Sequence, residues 1–283
     1  MKKWIFLGSI FTMLVGCSST RVFEESRELE LATTSGVERL NVQTTSGDLI
    51  IKGDKDATTI SVVAEIKRSE SVKEDAIVLT LEQEGNEAEL VSKFRPTFGF
   101  MTRQSMDITV TVPSHLSVFV KDESGDLRIS DIDGHVEIDD DSGDIYVKNA
   151  SNLSKIKDDS GEIIVENSAG LLTIDDESGD IEVLNTVGIK KIHDDSGAIL
   201  VESCTGELQV DDQSGDLVIV DHSGNVSIVD GSGEIDIARL EGSIVVEDES
   251  GDISINNVTN DVTIENDGSG SKHIRGVKGK IID

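Results

Sequence analysis

Residues 140–157 read Asp-Asp-Ser-Gly-Asp-Ile-Tyr-Val-Lys-Asn-Ala-Ser-Asn-Leu-Ser-Lys-Ile-Lys, and this eighteen-residue pattern recurs along the chain. Its Ser-Gly marker returns at the same spacing without insertion or deletion, at Ser124, Ser142, Ser160, Ser178, Ser196, Ser214, Ser232 and Ser250. A fixed short period is the sequence signature of a repeat architecture. The positions of each repeat are numbered below as places 1 to 18, with Asp140 at place 1 and Lys157 at place 18.

Three columns of the repeat are aliphatic. Places 6, 8 and 17 hold Ile, Val or Leu in every repeat from residue 122 onward, and polar residues stand beside them. This alternation predicts short strands with one buried face. Glycine at place 4, echoed at place 13 in most repeats, predicts two turns per repeat with positive φ at both. We therefore predict an all-β, single-chain β-solenoid with 18-residue coils and two short strands per coil.

Two other layouts fit the composition less well. A long antiparallel meander would leave one apolar face uncovered. A left-handed hexapeptide helix has coils of the same length, but its apolar spacing would be six places, whereas this chain echoes its apolar pairs after nine. Both therefore rank below the two-strand coil.

The first residues have the pattern of an export signal. Two lysines precede an apolar run over 4–15, which is too short to span a bilayer as a helix. The stretch Leu14-Val15-Gly16-Cys17 resembles the bacterial lipobox, and this resemblance implies a signal peptide over 1–16 and acylation of Cys17. We expect residues 17–35 to be a tether and the membrane to be a partner through the lipid. Serine after Cys17 resembles the pattern of lipoproteins sent to the outer membrane.

An early copy of the motif indicates an insertion. Ser46-Gly47-Asp48 precedes the array, and the spacing from Ser46 to Ser124 is not a whole number of repeats. Residues 53–113 between them hold four alternating segments that suit an antiparallel sheet. We expect an N-terminal β region over 36–113 that contains this insert, a solenoid array over 114–265 and a capping rung over 266–283.

Residues 93–103 stand out within the insert, because they hold three phenylalanines and three cations in an acidic protein. One interpretation is a cap, since the end of a solenoid exposes strand edges and core that must be covered. The other is an exposed hairpin that touches a partner or lipid headgroups. The candidate contact residues are Phe94, Arg95, Phe98, Phe100 and Arg103.

Charge narrows the classes of partner. The chain has 56 acidic and 25 basic residues, for a net charge of −31. Such a protein repels nucleic acid and anionic headgroups. If Cys17 is acylated, Cys204 has no cysteine left to pair with, so we expect no internal disulfide. Cys204 shares place 11 with mostly small residues, and we expect it to pack in a corner of the coil.

Acid is concentrated in the Asp-x-Ser-Gly-Asp turn, at places 1 and 5. Stacked like charges destabilise a protein unless they are solvated, protonated or bridged by cations. We expect a solvated acidic corner, with calcium as the alternative because glycine turns can supply oxygen ligands. The calcium candidates are Asp126, Asp144, Asp180, Asp216 and Asp252. The pattern also resembles the calcium β-roll, but that family repeats Gly-Gly-x-Gly-x-Asp at both turns.

The sequence contains no nucleophile elbow, phosphate loop or paired zinc cysteines, and we expect neither catalysis nor a cofactor. His193 and His222 fall at places 18 and 11, so the repeat itself accounts for them. A polysaccharide-active β-helix enzyme is the third alternative. Such enzymes interrupt their coils to build a cleft, whereas this array is uninterrupted.

The repeated Ser-Gly-Asp-Ile-x-Val, preceded by Val-Thr-Val-Pro at 110–113, resembles the bacterial putative-adhesin family of β-strand-repeat proteins, whose function is unknown. The resemblance covers residue 40 to the C-terminus and implies exposure at the envelope, without identifying a ligand. We therefore expect a non-catalytic, lipid-anchored envelope protein whose acidic solenoid is a binding surface or a spacer. The alternative is a module stabilised by calcium.

Overall fold

The computed structural model describes residues 22–33, 36–96 and 103–283, and their regular secondary structure is almost entirely β-strand. A single turn of 3₁₀ helix lies at Glu74–Ala76. Within these ranges, no helix combines the length and apolarity that a bilayer crossing requires. The chain divides into two compact units, and the division falls between Gly143 and Asp144. They are called unit 1 and unit 2.

The described residues of unit 1 form ten strands. They are β1 (Val22–Ala32), β2 (Arg39–Thr44), β3 (Leu49–Asp54), β4 (Thr59–Ser69), β5 (Ile77–Glu84), β6 (Glu87–Phe94), β7 (Gln104–Pro113), β8 (Ser117–Asp122), β9 (Leu127–Ser130) and β10 (His135–Asp140). They form two sheet segments with the orders β1-β4-β7-β3-β9 and β5-β6-β2-β8-β10.

The insertion predicted from the sequence is explained by these pairings. β3 pairs in parallel with β9, so that Leu49 lies beside Leu127 although the whole insert separates them along the chain. The strands of the insert form the antiparallel pairs β4–β7 and β5–β6, which confirms the expected antiparallel strands. β1 also pairs antiparallel with β4, so residues 22–32 of the expected tether form a strand of this sheet segment. β6 and β7 also pair in parallel with β2 and β3, and therefore extend both sheet segments of the unit.

Unit 2 contains sixteen strands. They are β11 (Ile145–Lys148), β12 (Asn152–Asp158), β13 (Ile163–Glu166), β14 (Thr173–Asp176), β15 (Ile181–Leu184), β16 (Lys191–Asp194), β17 (Ile199–Glu202), β18 (Leu208–Asp212), β19 (Leu217–Val220), β20 (Val226–Asp230), β21 (Ile235–Leu240), β22 (Ile244–Ser250), β23 (Ile253–Val258), β24 (Val262–Ser269), β25 (Lys272–Arg275) and β26 (Ile281–Ile282). Odd-numbered strands follow one another in one parallel sheet (sheet A), and even-numbered strands in the other (sheet B).

The register within unit 2 confirms the β-solenoid. Ile145 pairs with Ile163, Ile163 with Ile181 and Ile181 with Ile199, so each partner lies one full repeat further along the chain. The side chains at places 6, 8 and 17 are at most 5 % exposed throughout the unit. Fully burying one such side chain stabilises a fold by about 1.5–3 kcal/mol. These columns therefore form the core that holds the coils together.

The Ser-Gly turn requires glycine because successive coils touch there. Gly179 at place 4 has φ +144°, and a Cβ built on it would lie 1.7 Å from the carbonyl oxygen of Gly161 in the preceding coil. No side chain can occupy that space without separating the coils.

The second turn relies on a different residue. Place 10 adopts the left-handed conformation in each repeat of unit 2, with φ of 54° at Asn149 and 50° at Asn185. Asparagine tolerates this region better than most side chains because it can bond the local backbone. Positive φ therefore comes from place 10 in every repeat of the unit, whereas at place 13, where it was expected, only Gly170, Gly188, Gly206 and Gly224 have it.

The 18-residue period ends at residue 265, but the two parallel sheets continue beyond it. A β-bulge between Val246 and Glu247 shifts the register, so that Glu247 pairs with Asn266 rather than with Glu265. β25 continues sheet A one residue late, with Ile253 beside Lys272. The Ser-Gly that follows position 268 is therefore displaced by one residue, and a local bulge absorbs the extra residue.

Candidate functional site

The aspartates at place 1 are buried, which corrects the expectation of a fully solvated acidic corner. In unit 2 this first-place column has exposed fractions between 0 and 2 %. Its members are Asp158, Asp176, Asp194, Asp212, Asp230 and Asp248. Aspartate is seldom buried so completely unless its carboxyl group is paired. Aspartates of the Ser-Gly turn therefore belong to the interior of the protein and not only to its surface.

One oxygen of most of these carboxyl groups closes the Ser-Gly turn. The backbone N–H of Ser178 donates to Asp176 Oδ1 at 3.2 Å, and that of Ser250 donates to Asp248 Oδ1 at 2.9 Å. The same bond is present at Ser160, Ser196 and Ser214. The other oxygen, Oδ2, is buried without a hydrogen-bond partner in all six residues.

Burial shifts the titration of this column. Desolvation raises the pKa of Asp176, Asp212 and Asp230 to about 7, and like charge from the neighbouring column members contributes to that rise. Desolvation also raises the pKa of Asp158 and Asp194 to about 6. These are large departures from an ordinary aspartate, because a charged carboxylate is disfavoured away from water.

The aspartates at place 5, which include the calcium candidates, are exposed or half-buried and lie in a second column. Asp180 Oδ1 accepts the backbone N–H of Ala198 in the next coil at 2.9 Å, and Asp216 Oδ1 accepts that of Glu234 at 3.0 Å. Asp144 bonds Glu162 in the same way. In the ranges that the structure describes, no group of three or more His, Cys, Asp or Glu side chains is arranged to hold a metal ion.

The outward face of sheet A carries an aliphatic stripe, which the sequence analysis did not single out. Places 7 and 9 of strands β11 to β21 point away from the core and are half-buried or exposed. We call these side chains face A. Its apolar members are Tyr146, Ile164, Leu184, Leu200, Val218, Val220 and Ala238. Leu200 pairs with Val218, and Val220 with Ala238, so that the centre of the stripe is continuous across coils.

Acidic side chains border this stripe. Glu182, Glu202 and Asp236 occupy the remaining places 7 and 9 in its central coils. The cations nearby are already paired: Lys148 lies 2.8 Å from Glu166, and Arg239 lies 2.6 Å from Asp221. Face A is therefore aliphatic at its centre and acidic around it.

The outward face of sheet B differs. Places 16 and 18 of the same coils hold mostly charged and polar residues, including Lys155, Lys191, His193 and Asp211. His193 lies 3.4 Å from Asp211 Oδ2, and Lys157 pairs with Asp159. Two valines on this face, Val229 and Val245, stand among polar neighbours. We call this surface face B.

Two further side chains with reactive groups, Cys204 and His222, lie at place 11, in an inward corner of the coil. Cys204 is 1 % exposed, and its thiol lies 3.3 Å from the carbonyl oxygens of Val183 and Glu202. Burial raises the pKa of this thiol and lowers the pKa of His222, whose Nε2 lies 3.0 Å from the Gly206 carbonyl oxygen. Both residues therefore belong to the packed corner.

A shallow cavity of about 520 Å³ runs along the second turn of the last coils. Its lining includes Asp221, Arg239, Glu241, Asn257 and Lys278. The Arg239–Asp221 ion pair lies across its wall. Acidic and basic groups are balanced there, so the charge of the lining does not favour an anion or a cation.

The candidate hairpin is described only in part. Phe94 ends β6 and is half-buried, whereas Arg95 and Arg103 are exposed. The Arg95 guanidinium donates to the Asp75 carbonyl oxygen at 3.4 Å, and Ser69 N–H donates to the Arg103 carbonyl oxygen at 2.9 Å. Phe98 and Phe100, like Cys17, lie outside the described residues.

A family model for Toastrack DUF4097 matches residues 37–280, which include β2 to β25 and leave out β1. The chain belongs to the Toastrack DUF4097 family. The Toastrack match spans both units described above. No curated protein matches the chain.

Several solved structures are similar to this Toastrack chain. A putative cell adhesion protein from Clostridium sporogenes is 11 % identical, with 90 % of this chain and 99 % of that chain covered and a TM-score of 0.26. A putative adhesin from Parabacteroides merdae is 12 % identical, with 91 % and 96 % covered and a TM-score of 0.34. A putative lipid binding protein from Parabacteroides distasonis is 14 % identical, with 92 % and 97 % covered and a TM-score of 0.28. At these values the likeness identifies no ligand.

Proposed function

We propose that this Toastrack protein is a non-catalytic, lipid-anchored protein of the cell envelope whose solenoid serves as an adhesin-like binding surface. The observation that supports the proposal is the contrast between the outward faces of unit 2. Face A concentrates aliphatic side chains across successive coils, whereas face B is polar. Apolar patches rimmed by polar residues are typical of interaction sites.

The chemistry of face A selects the kind of partner. Its centre is aliphatic and Glu182, Glu202 and Asp236 stand among the aliphatic side chains, so the complementary surface is a polypeptide segment with Lys or Arg around aliphatic residues. From residue 114 onward the net charge is −27, which adds a long-range attraction for such a segment. A ladder of similar side chains also suits a partner with several copies of one segment, because linked contacts raise the avidity.

Binding of the full chain to intact cells tests this proposal. The double substitution Val218→Thr/Val220→Thr keeps the β-branched shape on face A and adds two hydroxyl groups, which removes apolar contact. The matched control is Val229→Thr/Val245→Thr on face B. We expect the face A variant to lose at least tenfold in affinity and the face B variant to bind as the original protein does. Equal loss or no loss in both variants would count against face A.

The lipid anchor is proposed from Cys17 and is tested separately. We expect an alkyne fatty acid to label the protein in cells and Cys17→Ala to abolish the label. Fractionation of a cell with two membranes should then place the labelled protein in the outer membrane. Label that persists in Cys17→Ala would refute the anchor without bearing on face A.

A second candidate function is stabilisation by calcium along the fifth-place column. One observation favours it. In Asp144, Asp180 and Asp216 the first carboxylate oxygen accepts a backbone N–H, and the second belongs to an exposed side chain that a cation can reach. Thermal unfolding with EDTA and with millimolar calcium tests it. A shift no larger than that caused by matched ionic strength would eliminate this function.

A further inference from the structure

The first-place column of unit 2 places carboxyl groups directly above one another. Asp158 pairs in register with Asp176, Asp176 with Asp194, and Asp194 with Asp212. The column continues through Asp230 to Asp248. Adjacent parallel strands lie ~4.8 Å apart, so each carboxyl group has another one as its neighbour in the next coil. The arrangement of this column does not depend on the binding proposed for face A.

At least one oxygen of each of these carboxyl groups lacks a hydrogen-bond partner, and at Asp230 both oxygens do. Each Oδ2 is enclosed by protein and receives no hydrogen bond. An ionised carboxylate can only accept hydrogen bonds. Two stacked ionised groups therefore repel each other, and neither can supply a hydrogen bond to the other's Oδ2. A protonated carboxyl group carries one O–H donor, which can satisfy the oxygen of its neighbour.

No buried cation compensates the column within the described residues. The charged groups that act on its members belong to the same turns: they are Lys157, Asp159, Asp180, His193, Asp195, Asp211, Glu249 and Asp267. Of the two that can carry positive charge, Lys157 is held by Asp159, and His193 lies near Asp195 and Asp211. The remaining groups are acidic and favour protonation of the column.

We propose that the first-place column is a proton-binding site built into the stacked coils. In the folded protein near neutral pH, a carboxylic acid in one coil donates its proton to the free carboxylate oxygen in the next. The protons are taken up when the coils stack and are released when they separate. The column therefore links the stability of the solenoid to pH.

The titration of the column agrees with this arrangement. The pKa values of about 6 and 7 mean that the folded chain still holds protons where an unfolded aspartate has lost them. Interaction with Asp248 also raises the pKa of Asp230, while interaction with Asp230 opposes the rise at Asp248, as expected when one proton serves two groups. Because the folded-state values are raised, this stabilisation is complete below about pH 4 and is lost as the pH rises toward 7.

The test is thermal unfolding of the full chain between pH 5 and pH 8 at constant ionic strength. We expect the original protein to melt at lower temperature as the pH rises. Each carboxyl with a pKa near 7 changes the folding equilibrium constant on the order of a hundredfold over this range. The double variant Asp176→Asn/Asp212→Asn supplies neutral side chains of the same size. We expect it to be more stable than the original at pH 8 and to respond less to pH.

The matched control is Asp144→Asn/Asp216→Asn, which removes the same number of acidic groups from the exposed fifth-place column. It lowers general repulsion equally but leaves the buried carboxyl groups in place, so its melting temperature should keep the full dependence on pH. If both double variants show the same dependence as the original protein, the proposal is overturned.

A measurement on the unsubstituted chain keeps the proposal testable if a variant fails to fold. The ¹³Cγ resonances of the aspartates report protonation residue by residue. We expect the signals of Asp176 and Asp212 to titrate well above the ordinary range of an aspartate. Titration of both at an ordinary aspartate value would overturn the proposal.

Discussion

The two turns of each coil hold the chain in different ways. In the first turn, places 1 to 5, a buried carboxyl group closes the loop onto a backbone N–H and a glycine touches the coil below. In the second turn, place 10 adopts positive φ and place 11 directs a side chain inward. The inward residues differ from coil to coil, among them Ala150, Thr186, Cys204 and His222.

This difference explains where the repeat is strict. Glycines of both turns approach the preceding coil: a Cβ on Gly179 would lie 1.7 Å from a carbonyl oxygen, and one on Gly188 2.3 Å. Ser and Gly at places 3 and 4 are the same in every coil, whereas place 13 holds Asn in two of them. The second turn depends on backbone conformation and on filling a corner, which several side chains can do. The sequence therefore varies least between coils at the places where neighbouring coils are in closest contact, and burial alone does not explain this.

Glycine substitutions should separate the two turns most clearly. Gly179→Asn introduces a Cβ where the Gly161 carbonyl oxygen lies, and we expect a loss of about 3 kcal/mol or more from overpacking. Gly188→Asn is the matched change at place 13. It should cost less, because the added Cβ would lie 2.3 Å rather than 1.7 Å from a carbonyl oxygen and because this chain already carries Asn152 and Asn260 at that place. Denaturant unfolding measures both. A smaller loss at Gly179 than at Gly188 would reverse the comparison.

Substitutions at place 10 should change the free energy of unfolding only through backbone conformation. Asn185 has φ 50°, which costs a residue such as alanine about 1–2 kcal/mol but costs glycine little. We expect Asn185→Ala to be destabilising by about 1 kcal/mol and Asn185→Gly to be near neutral. Chemical denaturation of the two variants checks the order. Equal losses would mean that the asparagine side chain, rather than φ, holds this turn.

The corner at place 11 should tolerate a change of volume. Cys204→Ala removes one buried sulfur atom, and we expect a loss of about 1 kcal/mol because other coils accept Ala and Val at this place. Cys204→Val should be similarly mild. The melting temperatures of the two variants are the measurement, and a loss comparable with that of Gly179→Asn would show that this corner is as strict as the first turn.

The fifth-place column should give the smallest effect. Asp180→Ala removes the acceptor for the Ala198 N–H, but that N–H lies where water can replace the carboxylate. The net contribution of such a bond is about 0.5–1.5 kcal/mol, and relief of charge repulsion opposes its loss. We expect a change within about 1 kcal/mol by urea unfolding. A larger loss would make this exposed aspartate as important to the turn as the buried one.

Periodicity was sufficient to predict the fold, because places 6, 8 and 17 report burial directly through aliphatic side chains such as Ile145 and Ile156. It was not sufficient to predict the first-place column, since aspartate in a glycine turn normally indicates solvent. A usable signal was present: place 1 is Asp in every repeat from Asp122 to Asp248, whereas place 5 varies and includes Ala198. A side chain that never varies, in a turn where another acidic place does vary, is held by contacts on more than one side.

Face A was missed for a related reason. Residues such as Val218 and Val220 were treated as the polar half of an alternating strand, although they are aliphatic in several coils. Their significance depends on which residues lie beside them in the neighbouring coils, and that information comes from the register. The residues of the hairpin, by contrast, cannot be ranked by periodicity because they lie outside the repeat.

The uniform coil length has a consequence for how this protein can evolve. If recombination removed or duplicated one whole repeat anywhere between positions 144 and 265, place 18 would still be followed by place 1 and each column would remain in line. Descendants could therefore lengthen or shorten unit 2 in whole steps of ~4.8 Å without inventing any new contact. Insertions of any other size would need a local accommodation, such as the bulge beside Val246.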